Sequence, residues 1–177
     1  MVGQTPIYYN HKNTGRPAGD HLSALEDIPL EAPQTSLGNT SHYLDAGKLP
    51  LFPFGYGLSY TTFEYSNLKL SATEMDKNGQ IEVSCTLKNT GNREAVEIVQ
   101  LYIRDHVGSI TRPVKELKNF DRISLKAGES KTVSFTLTAN ELKFWNNCDQ
   151  HLLEPGDYQI WIGPNSAEGL ESTFVLK

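Results

Sequence analysis

Apolar and polar side chains alternate most regularly between residues 81 and 88. One phase of this stretch is apolar and comprises Ile81, Val83, Cys85 and Leu87, whereas every residue of the other phase is charged or hydroxylated. A β-strand that buries one of its faces has this period of two. The pattern therefore predicts a half-buried strand in which Cys85 is a buried free thiol. The alternative for Cys85 is a disulfide bond with Cys148.

The stretch at residues 95–104 carries bulky side chains at nearly every position. A strand covered on both faces has this composition, so we expect a central strand here. The next apolar stretch, at residues 114–120, follows Pro113. Because proline lacks a backbone N–H, this stretch is expected to form a short strand or the edge of a sheet.

Together with further strands near the C-terminus, about seven strands fit into residues 61–177, at the spacing of an all-β sandwich of the immunoglobulin-like kind. Residues 1–60 differ, because they hold seven of the 14 glycines and six of the nine prolines. Such a composition opposes long regular elements and predicts an irregular N-terminal extension. Within the sandwich, Thr138–Glu141 is expected to cap one helical turn. This turn is predicted to carry Leu142, Phe144 and Trp145.

Tyr158 opens a predicted strand directly after the turn that contains Pro155 and Gly156. A tyrosine in such a place can donate its hydroxyl hydrogen bond to the backbone of the turn, as in the tyrosine corner of immunoglobulin-like folds. The alternative is that Tyr158 is a plain aromatic residue of the core. In both cases its role is structural. Side chains alternate along a strand, so if Tyr158 faces the core, Trp161 is expected to face outward.

The segment from Leu49 to Tyr60 is rich in apolar and aromatic residues but contains Pro50 and Pro53. These prolines prevent a helix and oppose a central strand. Leaving so many apolar side chains in water costs about 25 cal/mol per Å² of apolar area. We therefore expect a non-regular strap that packs its side chains on the sandwich. The apolar residues concerned are Leu49, Leu51, Phe52, Phe54, Tyr56, Leu58 and Tyr60.

Charge and motif content exclude several functions. The net charge is −5 with no basic run, which argues against a nucleic-acid partner. No apolar stretch approaches the roughly 20 residues of a membrane span, and the N-terminus lacks the pattern of a signal peptide. The five histidines lack metal-ligand spacing, and neither a Gly-x-Ser-x-Gly elbow nor a phosphate loop is present. The sequence thus offers no catalytic, cofactor-binding or metal-binding residue.

Several motifs resemble the C-terminal region of glycoside hydrolase family 3, in the β-glucosidase and β-xylosidase subgroup that ends in a fibronectin type III-like domain. They are residues 3–11 (GQTPIYYNH), 14–17 (TGRP), 43–45 (YLD), 50–63 (PLFPFGYGLSYTTF), 112–120 (RPVKELKNF) and 154–158 (EPGDY). The resemblance covers essentially the whole chain. It implies that residues 1–60 are the tail of a preceding α/β domain plus the strap, and that residues 61–177 are the fibronectin type III-like sandwich.

The resemblance also implies what the chain does. Family members carry their catalytic carboxylates in upstream domains, so this chain is expected to be a non-catalytic structural domain whose partners are those domains. The parent would be a periplasmic or secreted bacterial enzyme. The acidic residues agree, because Asp105 in a turn and Glu97 on the polar phase of a strand are both expected to be solvated and to keep ordinary acidities.

A second function remains open, namely a stand-alone β-sandwich that binds sugar or protein through exposed aromatic residues. Trp161 is its main support. Under either function, the residues expected to make contacts, with a docked domain or with sugar, are Trp161, Phe52, Phe54 and Tyr56.

Overall fold

The computed structural model describes residues 8–13, 26, 29–31 and 50–177. The strands are β1 (Phe63–Leu70), β2 (Glu74–Met75), β3 (Gln80–Asn89), β4 (Ala95–Asp105), β5 (Glu116–Leu125), β6 (Ser130–Thr138), β7 (Phe144–Trp145), β8 (His151–Leu152), β9 (Gly156–Gly163) and β10 (Leu170–Leu176), with one helix, α1 (Ala139–Leu142). Seven strands are long, and β2, β7 and β8 have two residues each. Within the described residues, no helix has the length and apolar content that a membrane span requires.

The long strands form two sheets that face each other. One sheet has the order β1-β3-β6, the other has the order β2-β10-β9-β4-β5, and β7 and β8 form a separate hairpin. A core of buried aliphatic and aromatic side chains lies between the two sheets. The prediction of an all-β sandwich with about seven strands is therefore confirmed.

The two clearest sequence patterns form the strands that they predict. Every apolar residue of the alternating stretch on β3 is buried, because this face of β3 covers the core. Strand β4 lies between β9 and β5, and its residues 99–103 are buried on both faces. Cys85 is buried and free, and Cys148 is exposed and free, so the disulfide alternative does not hold. Burial raises the pKa of the Cys85 thiol to about 11.

Strand β5 is an edge strand, as Pro113 suggests, but it covers residues 116–125 instead of 114–120. The apolar run ends at Phe120, whereas the residues that anchor the strand to the core, Ile123 and Leu125, come later. Pairing with β4 along this whole length extends the strand, with one irregularity between Leu101 and Tyr102 of β4.

The predicted helical turn forms at α1, where the backbone N–H of Thr138 donates to Oε2 of Glu141 at 2.6 Å. The helix ends at Leu142, however, and Phe144 and Trp145 form β7 instead of continuing the turn. Strand β7 pairs with β8, and Phe144 packs inward while Trp145 points to solvent. The prediction was therefore right about the cap and wrong about how far the turn extends.

The outer surface of the three-stranded sheet is polar and is called the polar face below. Its cross-strand pairs are Glu82 with Thr136, Ser84 with Ser134, and Thr86 with Thr132. Short hydroxylated side chains pair well across antiparallel strands and need no cover from water. This side of the sandwich therefore presents nothing that requires a partner.

Candidate functional site

The outer surface of the five-stranded sheet is aromatic and is called the aromatic face below. Tyr102 of β4 and Trp161 of β9 are cross-strand partners, and both point away from the core that Leu101 and Ile160 occupy. Although it lies on an outer face, Tyr102 has no solvent exposure. Its ring must therefore be covered by a layer outside the sheet.

Lys115 provides part of this cover. Its Nζ lies 4.0 Å from the centre of the Trp161 ring and 5.7 Å from that of Tyr102, and it donates a hydrogen bond of 2.7 Å to the carbonyl of Ser166. Burial lowers the pKa of Lys115 to about 8. Trp161 donates from Nε1 to Oε2 of Glu171 at 3.1 Å. Trp161 thus faces outward, as its position in the strand predicts, but it is half-buried beneath an ammonium group.

Gln100 attaches the strap to the aromatic face. Its Nε2 donates to the carbonyls of Gly55 at 3.1 Å and Pro164 at 2.5 Å, and its Oε1 accepts from the hydroxyl of Tyr102 at 2.5 Å. Gly55 has a φ of +80°, and a Cβ there would lie 2.0 Å from Oε1 of Gln100. Only glycine fits this approach without displacing the amide.

The segment at residues 8–13 lies on the same face. Tyr9 stacks on Phe54 with ring centres 4.2 Å apart and meets Tyr102 edge-on at 6.0 Å. The backbone of Val114 donates to the carbonyl of His11 at 2.9 Å. Two segments that precede β1 in the chain thus form a second layer over the five-stranded sheet.

The strap is non-regular, as predicted, but apart from Phe54, which stacks on Tyr9, its side chains do not pack toward the sandwich. Leu49 lies outside the described residues. The other six predicted side chains are 42% to 91% exposed, from Tyr56 to Tyr60, and Phe52 contacts Tyr56 with ring centres 5.2 Å apart. The expectation of burial was wrong, because the contacts with the sheet are made mainly by the strap backbone, which turns most side chains outward. An apolar surface of this kind is typical of an interaction site.

Two carboxylates that were expected to be solvated are not. The Asp105 side chain is almost completely buried, and burial raises its pKa, although Arg112 partly opposes this, with its Nε 3.6 Å from Oδ2 of Asp105. Glu97 accepts a hydrogen bond of 2.9 Å from the hydroxyl of Tyr65, and burial raises its pKa too. The sequence expectation failed because Asp105 is the last residue of β4 and because Glu97 meets the opposite sheet.

These two acids do not form a glycosidase pair. They are separated by eight residues of one extended strand, about 26 Å at the usual rise of a strand. Retaining glycosidases need their carboxyl groups about 5–5.5 Å apart, and inverting ones about 6.5–9.5 Å apart. In the described part of the chain, no cluster of three or more His, Cys, Asp or Glu side chains has a geometry that could hold a metal ion.

Tyr158 is a core residue without the predicted corner. It stacks on Phe174 with ring centres 5.2 Å apart, and its hydroxyl is buried without a hydrogen-bond partner among the described residues. Gly156 already belongs to β9 and pairs with Leu176, so the backbone of the turn is used by the sheet. The alternative, a plain core aromatic, is the one that the structure shows.

Comparison with known proteins finds a fibronectin type III-like domain at residues 97–166. The chain is 43% identical over 175 residues to a periplasmic β-glucosidase from Salmonella typhimurium, matching 99% of this chain and 21% of that protein. It is 47% identical over 154 residues to a putative β-xylosidase from Formosa agariphila, matching 87% of this chain and 20% of that protein.

Solved structures agree. The chain superposes on a β-glucosidase from Listeria innocua, crystallised with isofagomine, with a TM-score of 0.82 and 37% identity, covering 98% of this chain and 22% of that one. A β-glucosidase of intestinal bacteria involved in saponin metabolism gives a TM-score of 0.79 at 32% identity, covering 99% of this chain and 21% of that one. The chain thus spans about a fifth of the length of the relatives it matches.

Proposed function

We propose, from the premise that this chain belongs to the C-terminal, fibronectin type III-like region of glycoside hydrolase family 3, that it is a non-catalytic domain which stabilises the catalytic domains of a β-glucosidase- or β-xylosidase-type enzyme. The family-model match and the relatives confirm the resemblance that the sequence motifs carry. The observation that supports the stabilising role is the strap, which is fixed through its backbone and presents its aromatic side chains outward.

The partner of the strap is proposed to be the remainder of the parent enzyme. The relatives are single chains about five times as long as the part that this chain matches. A catalytic region would therefore belong to the same polypeptide. Phe52, Phe54 and Tyr56 are the proposed docking residues, and their burial on docking would contribute about 25 cal/mol per Å² of apolar area. Trp161 lies on the same aromatic face, where Lys115 and Glu171 hold it in place.

The division of the chain follows from this role. We propose that residues 1–60 belong to the tail of an upstream α/β domain and to the strap, and that residues 61–177 are the sandwich. The contacts of residues 8–13 with the aromatic face support continuity between the two parts. The relative from Salmonella typhimurium is named as periplasmic, so we place the parent enzyme outside the cytoplasm.

A chimera tests docking. This chain replaces the matching 175 residues of the Salmonella typhimurium β-glucosidase. We expect an active enzyme whose Tm falls by about 5 °C when Phe52 and Tyr56 are both changed to serine, because exposed apolar surface then replaces a packed contact. The same double change in the 177-residue chain alone should leave its Tm nearly unaltered, since both rings are exposed there.

The control is Ser84→Ala with Thr136→Ala on the polar face, which should leave the Tm of the chimera unchanged. An equal effect of the Phe52 and Tyr56 changes in both contexts, or no effect in the chimera, would contradict docking.

The isolated chain should not hydrolyse aryl β-glucosides or β-xylosides at micromolar concentration over a day. Turnover above a heat-killed control that disappears on mutation of one carboxylate would overturn the non-catalytic assignment.

A further inference from the structure

The hairpin β7–β8 presents a tryptophan on a rigid base. The side chain of Asn146 organises the turn, because its Oδ1 accepts hydrogen bonds from the backbone of Cys148 at 2.9 Å and of Gln150 at 3.0 Å. Beneath the hairpin, Phe144 is buried, with the guanidinium carbon of Arg112 4.1 Å from its ring centre. The base is therefore fixed on both sides, which lowers the entropic cost of presenting a side chain for binding.

Trp145 lies on the outer side of this hairpin and is 64% exposed. Its indole stacks on the His151 ring at 5.0 Å and 22° between planes, so the indole keeps one orientation. This tryptophan is the more accessible of the two in the chain, because Lys115 lies over the ring of Trp161. The sequence favoured Trp161 for sugar contact, whereas the greater exposure of the indole favours Trp145.

We propose that Trp145 is a carbohydrate-stacking residue that binds one pyranose of a β-linked glucan or xylan. In β-linked glucose and xylose the ring substituents are equatorial, so both faces of the sugar expose C–H groups that pack flat on an indole. His151 lies against the indole, and Gln150 precedes it in the chain, with its Oε1 accepting a hydrogen bond of 3.0 Å from Nδ2 of Asn146. The imidazole of His151 and the free amide N–H groups of Gln150 are suited to hydrogen bonds with sugar hydroxyls. The contact is one ring wide, which predicts weak binding with a Kd of about a millimolar.

The surroundings of Trp145 favour sugar over a protein partner. Protein interfaces cluster several apolar anchors, as the strap does, whereas the turn at residues 146–150 carries no large apolar side chain. The choice of β-linked glucose and xylose rests on the proposed function, whereas the stacking residue itself does not depend on docking of the strap, because the hairpin is a different part of the surface. Failure of one proposal therefore leaves the other standing.

The test uses the two indole N–H signals of the 177-residue chain in a ¹H–¹⁵N NMR spectrum. During titration with cellohexaose and with xylohexaose, the Trp145 signal should shift and saturate while the Trp161 signal stays in place. Trp145→Ala should weaken binding measured by calorimetry by about tenfold or more, as loss of a central aromatic anchor does. Trp145→Phe should keep part of the affinity, because it retains a flat ring.

Phe120→Ala is the matched control, since Phe120 is also 64% exposed but lies on β5. It should bind both oligosaccharides as the unaltered chain does. Trp145→Gln provides a second variant if the alanine variant lowers the Tm. No shift of the Trp145 signal with either sugar up to about ten times the predicted millimolar Kd would overturn the proposal. So would equal loss of affinity in the Phe120→Ala variant.

Discussion

The two outer faces of the sandwich differ in how their side chains meet the solvent. On the polar face, pairs such as Ser84 with Ser134 meet solvent directly and need no cover. On the aromatic face, Tyr102 and Trp161 would expose large rings, and Lys115 and the segments before β1 cover them instead. The sheet that carries large apolar side chains outward thus acquires a second layer, and that layer in turn exposes its own aromatic side chains. A partner surface is therefore expected on one side of this domain and not on the other.

The two faces should differ most in the free energy of unfolding that is lost when one side chain on each is truncated. Tyr102→Ala should lower the free energy of unfolding by about 3–5 kcal/mol, because it removes a fully buried ring and leaves a cavity. Thr136→Ala on the polar face should change it by no more than about 0.5 kcal/mol. Urea denaturation of both variants measures the difference. Similar losses in the two variants would mean that the aromatic face is no better covered than the polar face.

Two glycines with positive φ test how the strap is attached. Gly55 has a φ of +80° and Gly128 a φ of +75°, but only the Cβ added at Gly55 would meet another side chain. Gly128→Ala should cost about 1 kcal/mol for backbone strain alone. Gly55→Ala should cost about 2–3 kcal/mol, because it also displaces the buried Gln100 amide from its partners. Equal losses of unfolding free energy in the two variants would show that the strap moves away from Gln100 without a loss of stability.

Loss of the hydroxyl group should change the stability of the protein in opposite directions at the two buried tyrosines of the five-stranded sheet. Tyr102→Phe leaves Oε1 of Gln100 without its donor and should cost about 1–2 kcal/mol. Tyr158→Phe removes a hydroxyl without a partner and should be neutral or stabilising by up to about 1 kcal/mol. Thermal unfolding of both variants is the measurement. A loss of stability in Tyr158→Phe would restore the tyrosine corner.

The smallest effect is expected at Glu97, with a defined pH dependence. Because burial raises the pKa of Glu97 in the folded protein, its stabilising contribution is complete below the ordinary pKa of glutamate and is lost as the pH rises through the raised value. Glu97→Gln keeps an acceptor for Tyr65 and should be more stable at pH 7 by no more than about 1 kcal/mol, since solvent screens a partly exposed group.

Chemical denaturation at pH 7 and near pH 4 measures this effect, and the advantage of the glutamine should vanish at the lower pH. Glu82→Gln on the polar face is the control and should leave the free energy of unfolding unchanged at pH 7. If the stability advantage of Glu97→Gln grew on acidification, the pH dependence would have the opposite sign, and the raised pKa of Glu97 would be contradicted.

The sequence alone determined the class of fold and the direction of most core residues. The alternation on β3 and the continuous apolar stretch on β4 predict their burial, because the period of a strand and the need to bury apolar area are local properties. The motifs at residues 50–63 and 112–120 carry the resemblance to β-glucosidases and β-xylosidases for the same reason, since they are contiguous in the chain.

Only the tertiary structure decided which polar groups are buried and which aromatic residues are free. Asp105 and Glu97 look solvated in sequence, but Arg112 and Tyr65 reach them from other elements. Trp161 and Trp145 both lie on strands and both point away from the core. Lys115, which is distant from both in the chain, distinguishes them, because it covers the ring of Trp161. Such differences depend on contacts between residues distant in sequence, which a local pattern does not contain.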